Sequence, residues 1–245
     1  MNPLLEVKDV CLSYHSLSGE TAALSHISFH LMPEEFLAVV GPSGCGKSTL
    51  LNLICGLLHA ESGTILMNGK PLNKDSARIG YMLQKDHLLE WRSIYRNVLL
   101  GLEIQGELTK DNLSYVDELL KLYELDKFRD SRPSQLSGGM KQRAGIARAY
   151  TNNPEIMLMD EPFGQLDAQT RYQMQEEILR IWEKEKRTVI FVTNNIEEAC
   201  YLGDRIILLS ECPASVKEIY TLEALQRPRD YVDTEFLRMR ETIEK

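Results

Sequence analysis

A chain of 245 residues with 43% hydrophobic content has enough apolar material for one globular core and too much to remain disordered. Its formal net charge of -8 argues against a nucleic-acid partner, whose phosphates favour a basic face. No apolar run reaches the roughly 20 residues of a membrane-spanning helix. Residues 1–6 lack the basic flank and apolar stretch of a secretory signal, so any membrane role is expected through a partner. The cysteines, at 11, 45, 55, 200 and 212, are odd in number and show no CxxC spacing; a reducing cytosol accounts for them better than a disulfide framework or a zinc site.

In chain order, residues 4–14 alternate apolar and polar side chains and predict a strand, as do residues 26–31. Residues 36–40 form a short continuous apolar run suited to a buried strand. A glycine-rich turn follows, then helical character over 47–58 and short strands at 64–67 and 78–83. From 84 to 150 the pattern turns helical, with helices expected over 94–102, 112–125 and 140–150. Strand character returns at 156–160, 188–193 and 205–209, with a helix over 168–184 between. Strands alternating with helices predict an α/β fold with a mostly parallel sheet and a helical insertion. The tail from 213 is charged and expected to end in a helix.

Gly41, Pro42, Ser43, Gly44, Cys45, Gly46, Lys47 and Ser48 match the phosphate-loop pattern G-x-x-x-x-G-K-[ST]. Glycines let backbone N–H groups turn inward and approach phosphate without a side chain in the way. The helix that follows points its positive end at the same anion. Lys47 would reach the β- and γ-phosphates and Ser48 would hold Mg²⁺, with Thr49 next on the helix. Cys45 lacks a base partner for a nucleophile and is expected to contribute only its backbone N–H.

Residues 156–160 form an apolar strand that ends in Asp160, followed at once by Glu161. Taken alone, such a strand end is often merely solvated. Downstream of a phosphate loop, Asp160 suits Mg²⁺ through its outer shell and Glu161 suits a γ-phosphate-facing water.

Leu136, Ser137, Gly138, Gly139, Met140, Lys141, Gln142 and Arg143 resemble the signature motif of ABC ATPases, usually LSGGQ. Physically it is a second anion site of the same kind, glycines and a serine before a helix. One nucleotide needs one such cradle, so the surplus suggests contact with ATP on another copy. The resemblance, which covers about residues 4–210, implies that two chains stack head to tail around two ATPs. It also implies a P-loop NTPase core with a mixed sheet, an N-terminal antiparallel β-subdomain and an inserted helical subdomain. The expected division is one domain over 1–245: core about 1–84 and 151–210, helical subdomain about 85–150, tail 211–245. Tyr14 falls where the family stacks an aromatic on adenine, and Gln84 at the Q-loop glutamine that senses Mg²⁺. Alone, Tyr14 reads more often as a packed core aromatic and Gln84 as a surface polar residue; only their order in the chain promotes them. Leu166 and Asp167 resemble the D-loop.

Leu88, Leu89, Glu90, Trp91 and Arg92, then Asn97, Val98, Gly101, Leu102 and Glu103, are similar to the LLPWR and NV..GLE of nitrate, sulfonate and taurine importers. Trp91 reads either as a buried anchor or as a residue beside the groove for a membrane subunit. The class implies transmembrane permease subunits and an extracytoplasmic solute-binding protein as partners, and a peripheral place on the cytoplasmic face of the membrane. DNA-repair relatives carry long coiled coils, and no heptad array lies between Lys47 and Ser137.

The pattern is broken at Asn194. Family members usually have a histidine in a VTHD context; here Val192 and Thr193 lead to Asn194 and Asn195. Asn194 can donate a hydrogen bond to a γ-phosphate oxygen but cannot carry a charge or a proton. The expectation is ATP binding with reduced turnover, the alternative to an ordinary motor being a slow or regulatory subunit. Met140 and Gln165 are milder departures.

Overall fold

The computed structural model describes the chain apart from residues 1, 17–18, 73–77, 165, 223–224, 226, 228 and 245 and the side chain of residue 16. The strands are β1 (Leu5–Ser16), β2 (Gly19–Leu31), β3 (Phe36–Val40), β4 (Ser62–Met67), β5 (Lys70–Pro71), β6 (Ile79–Met82), β7 (Ile156–Asp160), β8 (Thr188–Thr193), β9 (Arg205–Leu209) and β10 (Val216–Thr221). The helices are α1 (Lys47–Ile54), α2 (Ile94–Val98), α3 (Leu100–Gln105), α4 (Lys110–Leu122), α5 (Gly138–Tyr150), α6 (Ala168–Glu185), α7 (Ile196–Leu202) and α8 (Thr234–Ile243), with 3-10 turns at Asp126–Phe128 and Pro133–Gln135. They form two compact units, residues 1–77 with 186–245 and residues 78–185.

The first unit holds an antiparallel sheet, β2-β1-β4-β5, and a mixed set in which β8 and β9 flank β3 in parallel and β10 pairs antiparallel with β9. Every residue of β3 is buried, as its unbroken apolar run predicts. Phe36 meets Phe191 of β8 edge to face at 5.5 Å. In β1 the buried set steps from Leu5 and Val7 to Val10 and Leu12. A bulge between Val7 and Val10, with Asp9 at φ 51°, absorbs the extra residue and keeps the apolar face inward.

The second unit holds the parallel pair β6-β7 and helices α2 to α6. Both the mixed and the antiparallel sheet agree with the expected α/β class. Among the described residues no helix is long and apolar enough to cross a membrane.

Several elements differ from expectation. The second strand begins at Gly19 rather than 26, because the small, largely exposed residues at its start carry no alternation. Helix α1 stops at Ile54 rather than 58: Gly56, at φ 75°, donates to Leu53 O while Leu57 N reaches back to Asn52 O, a Schellman stop. The helix expected over 94–102 is two, divided at Leu99. The tail contributes a strand, β10, before its helix.

Candidate functional site

In the first unit the site grows from the carboxyl ends of β3 and β8. Val40 pairs with Thr193, so residue 41, which opens the phosphate loop, and Asn194 leave the sheet side by side. This is the edge where open α/β sheets take ligands. Gly44 and Gly46 sit at φ 78° and 120°, a region that L side chains rarely occupy. At Gly46 a Cβ would also lie 2.9 Å from Ala23 O and from Leu24 Cδ2. The buried Lys47 donates from Nζ to Gly41 O at 2.8 Å and to Pro42 O at 2.9 Å. Its ammonium is thus folded against the loop whose N–H groups it would complement. Burial pushes the Cys45 thiol up, which keeps it a thiol and not a nucleophile. Ser48 and Thr49 follow in the first turn of α1, and Tyr14 Oη lies 3.0 Å from Thr49 Oγ1. Tyr14 is 45% exposed, so it is not a packed core ring.

Of the two asparagines after β8, Asn195 caps α7: its Oδ1 accepts from Glu197 N at 2.9 Å and Glu198 N at 3.4 Å. Thr193 Oγ1 donates to the buried Glu198 at 2.6 Å and accepts from Asn195 N at 3.1 Å. Asn194 is left exposed at the sheet edge.

In the second unit Met82 pairs with Met159, so β6 and β7 also end together. Asp160 is 5% exposed at the tip of β7. Glu161 turns the chain at φ 44°, and its Oε2 accepts from Gln84 Nε2 at 3.0 Å. The structure thus brings Gln84 and Glu161 together. Ser137, with extended backbone, caps α5 by accepting Met140 N on Oγ at 3.3 Å. At Gly138 a Cβ would make only ordinary contact with Leu166 Cδ2 at 3.8 Å, whereas on Gly139 it would meet Thr170 Cγ2 at 2.9 Å. That threonine is held by Asp167, whose Oδ1 accepts Thr170 N at 3.0 Å and Oδ2 accepts its hydroxyl at 2.7 Å. Those bonds draw the Asp167 carboxyl below its ordinary range. Gln165 lies outside the described residues.

Trp91 is 70% exposed, which removes the buried-anchor alternative. Asn97 explains how its segment is held. The side chain is fully buried, accepts Leu89 N at 2.7 Å and donates to Leu89 O at 3.1 Å, Ser93 O at 3.1 Å and Arg92 O at 3.3 Å. Arg92 also pairs with Glu103. Sequence reasoning noticed Asn97 and Glu103 as a pattern but missed this bracing, and missed Arg148 altogether. Its contacts lie 61 and 62 residues away, and no local spacing signals them.

Residues 24–164 match the family model described as ABC transporter. The "Uncharacterized ABC transporter ATP-binding protein MJ0412" of Methanocaldococcus jannaschii is 43% identical over 99% of this chain and 91% of its own length. The "Taurine import ATP-binding protein TauB" of Rhizobium johnstonii is 43% identical over 91% of this chain and 86% of its own. A solved structure described as the dimeric post-hydrolysis state of the ATP-binding cassette MJ0796 bound to ADP and Pi is similar with a TM-score of 0.78. It is 31% identical, covering 89% of this chain and 99% of that one.

Proposed function

The chain belongs to the ABC transporter family as an ATP-binding, ATP-hydrolysing subunit, and on that premise we propose that it drives import of a small solute through a transmembrane permease. It works as a pair of identical chains closed around two ATP molecules, at the cytoplasmic face of the membrane. The observation that carries this reading is the backbone over residues 41–47, with two glycines in left-handed geometry and Lys47 folded against the loop. The head-to-tail pair is supported by the second glycine-led helix start at Ser137 and by a similar cassette solved as a dimer. Import is supported by relatives named for taurine and aliphatic sulfonate uptake. An organic sulfonate or similar small anion is the solute class this favours. Recognition of it falls to the permease and an extracytoplasmic binding protein.

Each named residue then has a role. Tyr14 stacks the base. Gly41, Ser43, Gly44, Cys45 and Gly46 present N–H groups to phosphate, Pro42 shapes the loop without one and accepts Lys47 on its carbonyl, and Lys47 and Thr49 hold the phosphate. Ser137, Gly138, Gly139 and Met140 offer the α5 N-terminus to the nucleotide of the other copy, with Asp167 beside them. Ser48, Gln84 and Asp160 would hold Mg²⁺ through their side-chain oxygens, the donor type that ion prefers, and its charge would there offset the negative charge of the phosphates. Glu161 polarises the attacking water and Asn194 donates to the γ-phosphate. The segment around the exposed Trp91 meets the permease.

The test is Glu161→Gln. We expect ATP hydrolysis to fall about 10²-fold or more, with MgATP affinity unchanged, because a base is lost and no phosphate contact is. Undiminished hydrolysis would contradict the role given to Glu161.

A further inference from the structure

We infer that Arg148, on the same helix that opens at Ser137, is a positioning residue for Glu161, acting through the backbone that carries Gln84. This rests on the reading of Glu161 as the group that activates water. The guanidinium spans two successive carbonyls, donating from Nη2 to Asp86 O at 2.6 Å and from Nη1 to His87 O at 2.8 Å. Neither bond belongs to the helix's own ladder, and both partners lie just beyond Gln84. One turn earlier on α5, Gly145 presents bare backbone to the same place: a Cβ there would sit 3.9 Å from Asp86 Cα. The helix face and the 84–88 segment are therefore in close register.

That segment has no regular structure to hold it. His87 is at φ 45°, and Asp86 Oδ1 braces the segment locally by accepting Leu88 N at 3.0 Å. Arg148 closes the other side. Half-buried, it is held where removal from water lowers its pKa while the neighbouring Asp86 carboxylate favours the charge. With residues 86–87 fixed, Gln84 is fixed two residues away, and its amide meets Glu161 Oε2 at 3.0 Å. A continuous path thus runs from the signature helix through Arg148 and the Gln84 segment to the Glu161 carboxylate, all inside residues 78–185. A charged fork on neutral carbonyls is stronger and more directional than an ordinary bond. Lysine, a single ammonium, cannot reproduce the two-carbonyl grip. Loosening the support of a reacting group by a fraction of an ångström is enough to slow the chemistry.

The test is a double-mutant cycle of Arg148→Lys with Gln84→Ala, read by steady-state ATPase kinetics on the full chain. We expect Arg148→Lys to lower kcat about tenfold with KM for ATP within about twofold, and to lower it little further in the Gln84→Ala background, because both changes cut one path. A merely structural arginine would slow both backgrounds by the same factor. Equal factors, or an unchanged kcat for Arg148→Lys, would overturn the proposal. Thermal melting checks each variant; if Arg148→Lys does not fold, Arg148→Gln enters the same cycle with the same expectation. Glu161→Gln serves as reference. Undiminished hydrolysis there would overturn the reading of Glu161 and this role with it. Abolished hydrolysis there together with equal factors in the cycle would overturn the role of Arg148 alone.

Discussion

At the scale of single residues, the two asparagines after β8 separate scaffold from chemistry. Asn195 spends its side-chain oxygen on two N–H groups of α7. Asn194 faces outward beside the strand end that opens the phosphate loop. Its amide can donate to a γ-phosphate oxygen but adds no positive charge as negative charge builds in the transition state. We therefore expect Asn194→His to raise kcat by about tenfold to 10²-fold, with KM for ATP little changed, in a phosphate-release assay between pH 6 and 8. No gain would mean that charge at this position does not limit turnover. Cys45 shows the same economy from the other side. Its thiol is buried and kept neutral, so what it can bring to a phosphate is its backbone N–H.

At the scale of elements, ends matter more than middles. Helix α7 is short, and its start depends on the Asn195 cap and on Glu197 and Glu198 in the first turn. Asn195→Ala should cost about 1 kcal/mol in urea unfolding, with an unchanged denaturant dependence; a cost near zero would mean the cap is replaced by solvent. The same emphasis explains what could be read beforehand. Strands β3, β7 and β8 were legible to the residue because burial on both faces leaves a nearly unbroken apolar run, and β9 because residues 206–209 are apolar after Arg205. The stop of α1 was not, since the apolar Leu57 and Leu58 continue the helical pattern past Gly56. The start of β2 was hidden by small residues whose pairing with β1 is decided by the hairpin rather than by side-chain alternation.

At the scale of the whole molecule, the tail is part of the first unit rather than an appendage. Strand β10 extends the sheet beside β9, and Tyr231 stacks on Tyr201 of α7 at 4.5 Å. Arg229 is buried against the end of α7, donating to Cys200 O at 2.7 Å and Tyr201 O at 3.2 Å. Burial, with Arg227 beside it, lowers its pKa to about 10. A run of mixed charge gave no hint of this, because Arg229 is satisfied by carbonyls from distant residues. The site itself was far more legible. The phosphate loop, Asp160, Glu161 and the segment at Ser137 are local patterns whose chemistry dictates residue type. Within the second unit, the bonds of Gln84 with Glu161 and of Arg148 with residues 86–87 exist only in three dimensions.

In the function proposed above, each ATP site is completed by a second copy through the helix start at Ser137. Sedimentation of Glu161→Gln with MgATP tests it most directly, with and without Ser137→Arg. A particle of twice the 28.0 kDa chain mass is expected with ATP, reverting to single chains when Ser137→Arg is added although each chain still binds ATP. A Glu161→Gln chain that stays single with MgATP, or a pair indifferent to Ser137→Arg, would contradict it.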